Sequence, residues 1–108
     1  MALYLLQVAY TNEAWAVQLN NPLDRREAVS LVIERLGGYI ESAYYAFGDY
    51  DVVLIIEMPD DVSAAAFSLA VSAGGAVKAI RTTPLLTIEE GIEAMKKAAG
   101  AGYRPPGS

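Results

Sequence analysis

The sequence contains no cysteine and no histidine. Without thiols there can be no disulfide, thiolate nucleophile, zinc–thiolate site or cysteine-ligated iron–sulfur cluster. Without imidazole the commonest metal ligand and the commonest general base are missing, so neither a Ser-His-Asp triad nor a His-ligated haem can be built from this chain alone. Positive charge is also scarce: eight Lys and Arg stand against thirteen Asp and Glu, a net charge of −5. Nucleic acid and anionic membrane surfaces both need a basic footprint, and the sequence offers none. The doublets Arg25-Arg26 and Lys96-Lys97 fall on expected helices and read as solvated faces. No apolar run reaches the length of a membrane span. Met1 to Tyr4 lacks the basic start of a signal peptide. These absences describe a cytoplasmic protein with no metal and no cofactor.

Apolar side chains, by contrast, are abundant. They make up 54% of 108 residues, more than one small core requires. A domain this short buries a limited share of its surface, so the surplus points to an interface between copies.

The chain reads as one domain over residues 1–98, followed by a Gly/Pro-rich flexible tail, 99–108. Leu3 to Tyr10 is a β-rich run. Thr11 or Asn12 caps a short helix that Asn20-Asn21-Pro22 breaks. Pro22 starts a second helix with Asp24 as a cap, and Gly37-Gly38 ends it. Tyr39–Phe47 and Tyr50–Met58 form a hairpin around a Gly48-Asp49 turn. The run Val52 to Ile56 suits a central strand covered on both faces. Pro59-Asp60-Asp61 opens an alanine-rich helix that Gly74-Gly75 ends. Ala76–Leu86 is the fourth strand, and Pro84 within it argues for an edge or a strand end. Thr87 and Glu90 have capping-box spacing before a last helix. The resulting fold class is α+β: a ferredoxin-like βαββαβ plan with a C-terminal helix. Right-handed crossovers give an antiparallel four-stranded sheet in the order 4-1-3-2, both main helices on one face.

From Tyr10 to Leu86 the chain resembles the GYD-domain family. The resemblance is carried by Tyr10-Thr11, Gly37-Gly38 and above all Phe47-Gly48-Asp49-Tyr50-Asp51-Val52-Val53. Pro59-Asp60-Asp61 and Thr82 to Thr87 add to it. Trp15 departs from the pattern, where a smaller or aliphatic residue is expected. The resemblance implies a dimeric α/β-barrel type assembly and supplies no catalytic residues.

Alternation groups Asp51, Val53, Ile55 and Glu57 on one face of their strand, as it does Tyr39, Glu41, Ala43, Tyr45 and Phe47, and Arg81 with Thr83, while Gln7 falls on one face of the first strand. These sets are assigned to the open sheet face because each carries the polar members. Leu6, Val8, Ile40, Tyr44, Leu54 and Ile56 then face the helices. This open face is expected to meet a second copy. A candidate ligand site lies between the paired faces, with Tyr45, Phe47, Val53 and Ile55 as walls and Gln7, Glu57 and Arg81 as polar groups. The helix side must be close-packed to stabilise the monomer and so leaves little room for one. In the Gly48-Asp49-Tyr50-Asp51 turn, Gly48 supplies an unusual φ, Asp49 bonds its own turn and Asp51 caps nearby amides. Two isolated carboxylates make a poor cation site. Three readings remain open: a homo-oligomer that binds a small apolar or aromatic molecule, a cofactor-independent isomerase, cyclase or monooxygenase-like enzyme using Glu57, Tyr45 and Arg81, and an assembly or regulatory module.

Overall fold

The computed structural model describes residues 1–107; the expected tail extends to Ser108, outside the described residues. Eight elements follow one another: β1 (Ala2–Tyr10), α1 (Asn12–Asn20), α2 (Arg26–Arg35), β2 (Tyr39–Tyr45), β3 (Val52–Met58), α3 (Asp61–Ala73), β4 (Val77–Leu85) and α4 (Ile88–Ala99). The strands form one antiparallel sheet in the order β2-β3-β1-β4. This is the expected order read from the other edge.

Local chemistry sets most boundaries. The Thr11 hydroxyl accepts from the Ala14 N–H at 3.1 Å, and the Asp60 carboxylate accepts from the Ser63 N–H at 2.8 Å. Each satisfies an amide that a helix N-terminus leaves without a partner. At the end of α2, Gly37 has φ +89°. Its N–H bonds Glu34 O and the Gly38 N–H bonds Ile33 O, the paired closure that a left-handed residue permits. The Thr87–Glu90 capping box forms in both directions, at 2.9 and 3.1 Å.

The helix-facing core joins Tyr4 and Leu6 of β1 with Leu54, Ile56 and Met58 of β3, Ile33 of α2, and Ala64 and Phe67 of α3. Both main helices therefore lie on one side of the sheet. The register supports this: Leu6 stands opposite Leu54 and Thr82, and Tyr4 opposite Ile56 and Pro84. Pro84 is tolerated because β4 has a neighbour on one side only.

Three local expectations are corrected. Pro22 does not start a helix, since α2 begins at Arg26. Asp24 still serves that helix, accepting from the Arg26 N–H at 2.9 Å. The hairpin connection is wider than a Gly-Asp turn: β2 stops at Tyr45, β3 starts at Val52, and the Ala46 N–H closes the loop on Asp51 O at 2.8 Å. Most consequentially, β2 bulges at Glu41. Ile40 faces Ile56 but Ser42 faces Ile55, so one residue is inserted. A bulge reverses the alternation beyond it. Ala43 and Tyr45 consequently pair with Leu54 and Val52 on the helix side, whereas Tyr44 pairs with Val53 on the open side.

Candidate functional site

The open sheet face is built around Leu5, Val53 and Ile55. Gln7 lies directly between Val53 and Arg81 across the strands, and Glu57 lies between Leu3 and Tyr39. Leu5, Val53 and Ile55 remain partly exposed, and α2 and α3 both occupy the opposite side. Of the seven candidate ligand residues, Gln7, Val53, Ile55, Glu57 and Arg81 share this face. Tyr45 does not, because of the bulge, and Phe47 lies beyond the end of β2, fully exposed. Arg81 is level with Val53, four residues from Glu57 along β3. Arg81 is also two strands away from β3, so at about 3.3 Å per residue and about 4.8 Å per strand the two backbones are roughly 16 Å apart. The trio Glu57, Tyr45 and Arg81 therefore does not converge within one chain.

The turn motif is structural and organising. Gly48 has φ +154°, with no atom within 4 Å of where a side chain would start. Asp49 is exposed and Tyr50 half-buried. Asp51 is the hub: its N–H donates to Val8 O at 2.8 Å, and its Oδ2 accepts from the Tyr10 N–H at 2.9 Å and the Trp15 Nε1–H at 3.3 Å. The expected amide-capping role of Asp51 is present. Trp15 is explained as well, for its ring stands edge-on to Tyr10 with centroids 5.4 Å apart. Edge-to-face pairs of this kind add to the energy of burial.

The helix side is not close-packed throughout. Between α2, α3 and the β1–β3–β2 end of the sheet lies an open cleft of about 960 Å³, at the upper end of the range of roughly 300–1,000 Å³ typical of small-molecule pockets. Its floor is Val8, Ile40, Leu54 and Phe67, and its charged residues are Asp24, Arg25 and Arg26. Tyr10 and Tyr45 also line it. Burial pushes the Tyr10 phenol up, against the opposing pull of Arg25. Sequence reasoning missed this cleft by assuming complete packing under the helices. The available signal was side-chain size: Ala28, Val29, Ala43, Val52, Ala70 and Val71 line it, and small residues there leave a gap that larger ones would fill.

The molecule is thus an α+β protein with one open sheet face, a cleft beneath its helices and a hairpin loop that anchors the first strand and helix. The GYD domain family matches residues 4–95, and the chain belongs to that family. No curated protein and no solved structure gives a significant match.

Proposed function

We propose that this GYD domain is a self-associating cytoplasmic module, in which two ferredoxin-like units pair their open sheet faces into a dimeric barrel. The observation that carries this reading is the apolar centre of that face, Leu5, Val53 and Ile55, left partly exposed while the helices cover the other side. Contiguous apolar surface of this kind marks an interface. Pairing removes it from water and lets Gln7, Arg81 and Glu57 bond across the seam. The ligand reading for the same space is weakened, because Tyr45 and Phe47 do not contribute to its walls. The enzyme reading is weakened by the separation of Glu57 from Arg81. Light scattering on the full chain at micromolar concentration tests the proposal. The expected result is a dimer or larger species, converted to monomer by Ile55→Asp with the circular dichroism spectrum retained. A stable wild-type monomer would refute it.

A further inference from the structure

The cleft beneath the helices combines an apolar lining with a small charged cluster at one end. The chain carries a net charge of −5, yet the charged residues lining the cleft are one aspartate and two arginines, Asp24, Arg25 and Arg26. Asp24 and Arg26 neutralise each other, with Nη2 and Oδ2 2.6 Å apart. Arg25 has no ion-pair partner among the described residues. The mouth therefore presents one free guanidinium above an apolar floor. Beside it stands Tyr10, whose hydroxyl can donate a hydrogen bond into the cleft.

We propose that this cleft binds a small amphipathic monoanion, with an aliphatic or aryl body on the floor formed by Val8, Leu54 and Phe67 and a carboxylate held by Arg25 and the Tyr10 hydroxyl. Guanidinium and carboxylate match in shape as well as charge, and each bond between them is charge-assisted. A cation would meet Arg25 unfavourably, and a fully apolar molecule would leave that guanidinium without its best partner. Asp51 acts here as a positioning residue. By holding the Tyr10 amide and the Trp15 indole it fixes the wall on which the tyrosine stands, which connects the family's turn motif to the cleft. The site is independent of the open sheet face, which lies on the other side of the sheet.

Decanoate below its micelle concentration is a suitable probe, with decanol and decyltrimethylammonium as neutral and cationic counterparts. Calorimetry counts the sites, and Trp15, the chain's single tryptophan, reports on the Tyr10 wall by fluorescence. The expected result is saturable binding of decanoate at one site per chain, tighter than either counterpart. Arg25→Gln should weaken decanoate at least about tenfold, the scale of a lost charged hydrogen bond, and leave decanol unchanged. Ala70→Phe, at an exposed position of α3 that lines the cleft, should weaken all probes with the fold intact by circular dichroism. Ile55→Asp should leave decanoate binding unaltered whatever it does to assembly. The proposal is overturned by the absence of saturable binding, by equal affinity for the three probes, by indifference to Arg25→Gln or Ala70→Phe, or by loss of binding in Ile55→Asp.

Discussion

Gly38 and Gly48 are both glycines for backbone reasons, but the reasons differ and so do the expected costs of replacing them. A side chain at Gly38 would start 2.2 Å from Glu57 O and 2.4 Å from Met58 Sδ. The first of these is strand backbone and cannot move aside without disturbing β3. Gly38→Ala is therefore expected to cost about 3 kcal/mol, the upper range for forced overpacking. At Gly48 the space is open and only φ resists, so Gly48→Val is expected to cost about 1 kcal/mol. Urea midpoints in that order check the distinction; equal midpoints would show that steric contact at Gly38 does not matter. Tyr4 gives a second test at this scale. Its hydroxyl donates to Asp61 Oδ1 at 2.5 Å. That hydrogen bond, then burial, then the charges of Asp61 and Asp60 push its pKa up to about 12. The unfolded value is about 10, so the native state binds the phenolic proton more tightly. The stabilisation is complete below pH ~10 and is lost as the pH rises towards ~12. Tyr4→Phe should flatten the fall of the urea midpoint across that window, and an unchanged slope would place the alkaline sensitivity elsewhere. The role was readable in advance in general terms, since a buried tyrosine needs a partner for its hydroxyl; that the partner is Asp61, at the start of α3, was not.

Among the elements, those ended by glycine or opened by a capping side chain were legible, because each signal acts within a few residues. Thr11, Asp60, Thr87, Gly37 and Gly74 all stand at the helix ends where they were expected. The bulge at Glu41 was not legible. No glycine or proline marks it, and the adjacent tyrosines Tyr44 and Tyr45 let either alternation place an aromatic ring on either face. A single inserted residue thus moved Tyr45 from the expected sheet-face site to the cleft, and Tyr44 the other way. Gln7, Val53, Ile55, Glu57 and Arg81 kept their expected face because β1, β3 and the paired part of β4 run without a shift through those positions. The cleft depends on how far α2 and α3 stand from the sheet, a tertiary spacing for which only the small residues gave any hint.

For the whole molecule the informative element is α4. The protein measures 59 × 32 × 22 Å, with a radius of gyration of 17.4 Å, against about 13 Å for a compact chain of 100 residues. None of the twelve residues of α4 is buried. Ile88, Ile92 and Met95 nevertheless recur at helical spacing, 79%, 46% and 71% exposed. On the polar side Glu93 and Lys97 form an i,i+4 pair at 3.7 Å, worth only a few tenths of a kcal/mol. A helix this short is marginal in water by itself, so its apolar stripe needs cover that its own chain does not provide. If the open sheet faces pair as proposed, α4 can lie against the second copy and extend the same interface. Three consequences follow from this. The thermal midpoint of the full chain should rise with protein concentration, as it does for any state stabilised by association. A chain ending at Thr87 should keep cooperative unfolding, because the core formed by β1, β3, α2 and α3 is untouched. Its dimer should dissociate at least about tenfold more readily, since burial of even one Ile or Met side chain is worth about 1.5–3 kcal/mol. Analytical ultracentrifugation of both chains measures the difference. Equal dissociation constants would remove α4 from the interface, and loss of cooperative unfolding in the shorter chain would show instead that α4 belongs to the fold of the single subunit.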